Sequence, residues 1–135
     1  MCSDSGRQTM IKASSIDLSC KTVFTNGDQS GIADLPVVKG GAGLGFGPHE
    51  LLEAALATCM AITVRMVADK HHLPLTSVNC EVRIDRSALE SVTLFYDLTL
   101  EGNLSTEQRH LLSDAAARCP VTRTLTGRIT VLAAN

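Results

Sequence analysis

The chain has 135 residues, of which 44% are hydrophobic and 19% charged, and its 12 basic and 14 acidic side chains leave a net charge of −2. That length fits a single domain, residues 1–135, with a real core, and the apolar content excludes intrinsic disorder. Without a basic excess, with no Trp, one Tyr and three Phe, nucleic-acid binding is disfavoured, and the low charge leans toward an oligomer.

Residues 1–12 read as a polar tail or edge segment, without the apolar stretch of a secretory signal. No apolar run reaches the roughly 18 residues that span a bilayer, so no membrane partner and a cytoplasmic location are expected. Thiols stay reduced there. The five cysteines, Cys2, Cys20, Cys59, Cys80 and Cys119, contain no C-x-x-C pair, which removes zinc knuckles and thioredoxin-type motifs on spacing.

From Ser15, Ile16, Leu18, Cys20, Thr22 and Phe24 alternate along the chain, which predicts a strand. Asn26-Gly27 accepts positive φ and predicts a hairpin turn, with Ser30–Asp34 as the returning strand and Pro36 closing it. Lys39–Gly47 reads KGGAGLGFG. It lacks the Lys-Ser or Lys-Thr end of a P-loop and no βαβ unit follows it, so a flexible or tightly packed loop near a site is expected. Pro48–Lys70 reads as a helix, with Pro48 suited to its first position. Its apolar residues cover almost every face, which predicts a buried central element.

Val78–Ile84 and Val92–Leu100 alternate as strands, joined through Arg86–Glu90 as a meander. Ser105 and Gln108 form a capping-box pattern for a second helix running to about Arg118, with Leu111, Leu112, Ala115 and Ala116 inward. Cys119-Pro120 interrupts it, and Pro120 can open a short helix with Cys119 as its N-cap. Gly127 precedes a last predicted strand, Arg128–Leu132. Runs of strands and helices in this order give an α+β domain.

Of the four histidines, His71, His72 and His110 read as solvated, and no metal site is expected. Cys2 reads as incidental, and Cys20 and Cys80 as small hydrophobes in strands. Cys59, in ALATCMAI, reads on packing alone as a core cysteine. Cys119 differs, because an N-cap position favours a thiolate. Periodicity does not say whether the two meet in space.

GPHELLEAALATCMAITVRMVADK, then HLPLTSVNCEV and AARCPVTRTL, resemble the family of osmotically inducible protein C and the organic hydroperoxide resistance proteins (OsmC/Ohr) from about Asp34 to Leu132. The specific parts are the P-x-E-L-L-x-A-A-L-x-x-C run ending at Cys59 and the R-C-P-V-x-R-T-L run around Cys119. The resemblance implies antiparallel sheets around a long buried helix and an intertwined homodimer with active sites at its interface. It implies a thiol-dependent peroxidase for organic hydroperoxides, with Cys59 as peroxidatic and Cys119 as resolving cysteine. No cofactor is implied; an external dithiol, of lipoyl type, restores the thiols.

The sequence departs from the family at named places. The hairpin Phe24–Ser30 holds no arginine, and Thr122 stands where a histidine follows C-P-V in relatives. Lys21, Lys39, Arg65, Arg118 and Arg123 are the other candidate cations. Helical residues advance about 100° each, which puts Glu50, nine before Cys59, on nearly the opposite side of a straight helix. His49, ten before, is about 80° away by the same arithmetic and takes the place of the family's first-turn glutamate. Glu50 is expected either to complement the helix N-terminus or, through a kinked turn, to orient a cation toward the thiolate. His49, Phe46 and Met60 are expected to line the substrate site. The alternative is a non-peroxidase dimer that binds a small molecule or thiol ligand, or senses redox state.

Overall fold

A turn that glycine and asparagine favour sets up the first sheet of the protein, whose computed structural model describes residues 10–134. Cys2 and most of the predicted tail lie outside the described residues. Strands β1 (Lys12–Ser15), β2 (Thr22–Thr25) and β3 (Ser30–Ala33) pair antiparallel in that order. Gly27 takes φ 102° at the β2–β3 turn, and the Asn26 side-chain oxygen accepts the N–H groups of Asp28 and Gln29 at 2.9 and 2.8 Å.

The strand predicted over Ser15–Phe24 is broken in the structure. Asp17 adopts φ 58°, which a short polar side chain tolerates. The Ile16 N–H donates to the Lys21 carbonyl across the turn at 3.0 Å. Leu18 and Cys20 therefore stand in solvent, and their alternation reflects a turn rather than a buried face. Lys12, the end of the segment read as a polar tail or edge segment, begins β1, an edge strand of this sheet.

Asp34 follows β3 and is buried at 3% exposure. Its carboxylate accepts the N–H groups of Leu35, Ala42 and Leu44 at 2.7, 3.2 and 3.1 Å. The glycine-rich loop thus wraps around one side chain. A Cβ on Gly41 would collide with the Leu35 carbonyl, and one on Gly45 with that of Ile32, so these glycines serve close packing. The loop ends where Phe46 pairs beside β3, donating to Ile32 and accepting from Asp34 at 3.1 and 3.0 Å.

The Leu44 N–H, joined by those of Leu35 and Ala42 and by the charge of Lys21, holds the Asp34 carboxyl below its ordinary value against the opposing effect of burial. A depressed carboxyl stabilises the fold above its unfolded pKa, and that contribution is lost as pH falls through the folded value. Asp34→Asn should therefore be less stable than wild type at neutral pH. The gap in urea midpoint should narrow once pH drops below about 4; a gap independent of pH would assign the effect to packing alone.

The chain forms two compact units, one ending at Leu52 and one beginning at Glu53. Helix α1 (Pro48–Lys70) has the predicted limits. In the second unit, β4 (Leu75–Asp85) and β5 (Thr93–Gly102) form an antiparallel pair, in which Val78 faces Leu100, Cys80 faces Leu98 and Val82 faces Tyr96. Helix α2 (Thr106–Ala117) opens with the expected capping box. Gln108 N–H donates to Ser105 Oγ at 3.1 Å, and Ser105 N–H to Gln108 Oε1 at 2.9 Å. Helix α3 (Pro120–Thr126) carries Pro120 at its start and Cys119 as N-cap.

The core gathers Leu56, Met60, Val64 and Ala68 from α1 with Leu75, Leu112, Ala116 and Cys119, over the sheet residues Val78, Cys80, Val82, Leu94, Leu98 and Leu100. The α1 residues recur every four positions and form one stripe. The expectation of burial on all faces is corrected: Leu52 and Ile62 are 44% and 50% exposed, because the chain's own elements cover only that stripe. Leu111 of α2 is likewise exposed, while Leu112 and Ala116 point inward. Averaged over its length α1 is long and apolar enough to cross a membrane, although Glu53 and Arg65 interrupt its apolar run; the stripe it buries is that of a core helix. The predicted strand Arg128–Leu132 does not form: these residues carry no regular secondary structure and pair with none of the described strands.

Candidate active site

Helix α1 sets Cys59 beside the buried stripe, half-buried and one turn before Thr63, and the start of α3 sets Cys119 in the same core at 0% exposure. The chain thereby joins two cysteines 60 residues apart, which periodicity left unresolved. Both are free thiols. Burial pushes the Cys59 thiol above its ordinary pKa, and the neighbouring Cys119 thiol adds to that. The Val121 N–H and the Thr63 hydroxyl act in the opposite direction by hydrogen bonding to sulfur. The site is thus a close dithiol in an apolar setting, with one backbone donor and one hydroxyl available to stabilise a thiolate.

Backbone bonds fix Cys119 on both sides. Its N–H donates to the Ala116 carbonyl at 3.1 Å, and its carbonyl accepts the Arg123 N–H at 3.2 Å. Its sulfur makes no backbone cap bond; it meets the Thr122 hydroxyl at 3.2 Å. Cys80 is a third thiol of the core, and donates its S–H to the Met60 sulfur at 3.7 Å. Burial, and then Cys119 and Asp97, push its pKa up. Cys20, expected to be buried in a strand, is exposed on the β1–β2 turn.

The other expected site residues fall in two places. Met60 is 1% exposed in the core beside Cys59. Phe46 and Glu50 line an open cavity of about 590 Å³ with Ile32, Gly43, Leu44 and Gly45, and His49 is exposed next to it in sequence. Glu50 Oε1 accepts the Gly47 N–H at 2.9 Å, a helix-capping contact.

Two of the candidate cations are engaged elsewhere. Arg65 pairs with Asp69 at 2.8 Å and donates to the Leu75 carbonyl at 2.9 Å, while Arg123 donates to the Arg118 carbonyl at 3.2 Å. Among the described residues no group of three His, Cys, Asp or Glu could hold a metal ion. Sequence reasoning missed Asp34, Thr63 and the hydroxyl of Thr122. The spacing of Thr63 four after Cys59, and of Thr122 three after an N-cap, was the available signal for the last two.

Since burial favours the neutral thiol, alkylation of Cys59 by iodoacetamide should have its pH midpoint above the ordinary thiol value of about 8.5. Thr63→Val, which removes a donor to the thiolate, should move that midpoint further up. An unchanged midpoint would show that the hydroxyl does not reach the sulfur.

A family model described as OsmC-like protein matches residues 40–133. Three similar solved structures agree in fold. An osmotic stress induced and detoxification response protein from Psychrobacter arcticus is 24% identical, with 88% of each chain covered and a TM-score of 0.73. An OsmC like protein from Mycoplasma pneumoniae is 19% identical, covering 90% of this chain and 89% of its own, with a TM-score of 0.71. An organic hydroperoxide resistance protein OsmC from Legionella pneumophila is 23% identical over 91% and 92%, with a TM-score of 0.64. A comparison with curated proteins finds no match.

Proposed function

We propose that this chain, which belongs to the OsmC-like protein family, is a thiol-dependent peroxidase that reduces organic hydroperoxides. The observation that carries the reading is the meeting of Cys59 and Cys119 in one apolar core, where the Val121 N–H favours the Cys59 thiolate. Two of the similar structures, from Legionella pneumophila and Bacillus subtilis, are named organic hydroperoxide resistance proteins, which supports the same reading.

In the first step the Cys59 thiolate attacks the distal oxygen of the hydroperoxide. The O–O bond breaks, the alkoxide leaves with a proton as an alcohol, and Cys59 becomes a sulfenic acid. The Cys119 thiolate then attacks the Cys59 sulfur, the S–S bond forms, and hydroxide leaves with a proton as water. An external dithiol of lipoyl type reduces the disulfide by exchange and is itself oxidised to a disulfide, so the protein needs no bound cofactor. The apolar surroundings suit an alkyl hydroperoxide. Met60, in the core beside Cys59, is assigned to its binding, in a cytoplasmic homodimer.

A second reading, a ligand-binding dimer or redox sensor, is favoured by two observations: the hairpin Phe24–Ser30 holds no arginine to hold the thiolate charged, and burial pushes the Cys59 thiol up. Turnover of cumene hydroperoxide with dihydrolipoamide separates the two. Wild type should turn over and Cys59→Ser should not; equal, background rates for both would select the second reading.

Glu50 is assigned to the catalytic apparatus through its charge. Glu50→Gln keeps an acceptor for the Gly47 N–H, so the helix cap survives and the charge alone is lost. The rate of Cys59 oxidation should fall at least tenfold, about 1.4 kcal/mol of barrier, with little change in Tm. A rate within twofold of wild type would leave Glu50 as a capping residue.

A further inference from the structure

The resolving step asks a completely buried thiol to become a nucleophile. Cys119 has 0% exposure, so water does not solvate its thiolate, and its backbone is pinned by the bonds to Ala116 and Arg123. An N-cap side chain ordinarily accepts a backbone N–H from the first turn; the Cys119 sulfur makes no such bond. The Val121 N–H acts on Cys59 instead. What the Cys119 sulfur does meet is the hydroxyl of the third helical residue, Thr122, at 3.2 Å. Thr122 is half-buried, and its own carbonyl accepts the Thr126 hydroxyl at 2.7 Å, which fixes the residue in the first turn of α3.

We infer that Thr122 is the positioning residue for the resolving thiol: its hydroxyl holds the Cys119 sulfur in one orientation and donates to it as the thiolate that attacks the Cys59 sulfenic acid. The inference rests on the proposed peroxidase reading and deepens it. With a neutral thiol the hydroxyl is free to accept the S–H; once the proton leaves, the hydroxyl turns to donate. In the resolving step the Cys119 thiolate forms the S–S bond and hydroxide leaves Cys59, taking up a proton to become water; Thr122 itself neither gains nor loses a proton. A hydrogen bond to a charged group is stronger than a neutral one, so the hydroxyl stabilises the attacking form more than the resting thiol. It does not touch Cys59 chemistry with the hydroperoxide, so the two steps should respond differently to its removal.

The test follows the two steps separately in Thr122→Val and Thr122→Ser. Reduced protein is mixed with cumene hydroperoxide, and Cys59 sulfenic acid and the Cys59–Cys119 disulfide are quantified by quench and mass spectrometry. Thr122→Val should form sulfenic acid within twofold of the wild-type rate and form the disulfide at least tenfold more slowly. Thr122→Ser, which restores only the hydroxyl, should recover most of the rate; a merely structural role would not give that rescue. Disulfide formation in Thr122→Val within twofold of wild type, or a Thr122→Ser variant as slow as Thr122→Val, would overturn the inference. If Thr122→Val does not fold, Thr122→Ala is read by the same criteria.

If wild type forms no sulfenic acid, the peroxidase reading fails by itself. Diamide then supplies the oxidant: it forms an adduct on one cysteine that the other displaces to give the disulfide. A tenfold slower closure in Thr122→Val keeps the positioning role, and equal closure removes it.

Discussion

Cys119→Ser should carry out one reaction with an alkyl hydroperoxide and then stop. Cys59 in that variant still meets the Val121 N–H and the Thr63 hydroxyl, the groups that act on its sulfur in favour of the thiolate. The first chemical step therefore stays open. With no thiol beside it, the sulfenic acid has no internal partner, and excess hydroperoxide carries it on to sulfinic acid. Removing a neighbour that raises the Cys59 pKa should also speed the first step slightly. Multiple turnover with a dithiol should drop at least 100-fold, about 2.7 kcal/mol of apparent barrier. Trapping with a sulfenic-acid probe should mark Cys59 stoichiometrically in Cys119→Ser and only transiently in wild type. Peptide mapping of oxidised wild type should give a Cys59–Cys119 bond within one chain. A Cys59–Cys80 bond, or turnover by Cys119→Ser at half the wild-type rate, would make Cys80 the resolving thiol instead. Cys80 is close enough to Cys119 for that thiol to push its pKa up but makes its own contact with Met60 at 3.7 Å.

How much of this was legible beforehand depended on whether a pattern was local. The long helix Pro48–Lys70, the capping box at Ser105 and the break at Cys119-Pro120 are set by neighbours in sequence, and all three stand as read. The alternation at Ile16, Leu18 and Cys20 looked equally local, yet Asp17 at φ 58° and the Ile16–Lys21 bond turn the chain there. A period of two over three residues fits a turn as well as a strand. The glycine loop was read as close-packed or flexible, but its organiser was invisible: Asp34 reaches Ala42 and Leu44, eight and ten residues on, and no periodicity records such a contact. The adjacency of the two cysteines came from resemblance and not from spacing. Their polar partners, Thr63 and Thr122, are hydroxyls that on a single sequence look like any other helical threonine.

The second large effect concerns assembly. Helix α1 is apolar on every face, yet the chain covers only the stripe of Leu56, Met60, Val64 and Ala68. Ile62 is left 50% exposed, Phe95 48%, Tyr96 45% and Leu52 44%. The last described residues add Ile129, Val131 and Leu132 at 58%, 91% and 82%, in a segment without regular secondary structure. Isolated exposed hydrophobics are ordinary, but this many in a chain with 19% charged residues suit an obligate interface, of a size typically above about 2,000 Å². A second copy packed there would cover the bare face of α1 and the apolar residues Ile129, Val131 and Leu132. The expected outcome is a dimer by light scattering with no folded monomer on dilution. Tm should rise with protein concentration, as it does when folding and association are one equilibrium. Ile62→Asp puts a charge on the uncovered face and leaves the chain's own core stripe untouched. It should unfold the protein or lower its Tm by more than 10 °C, since an unpaired charge buried in an apolar interface costs several kcal/mol. A folded Ile62→Asp monomer of wild-type Tm would show that the exposed face of α1 is simply solvated.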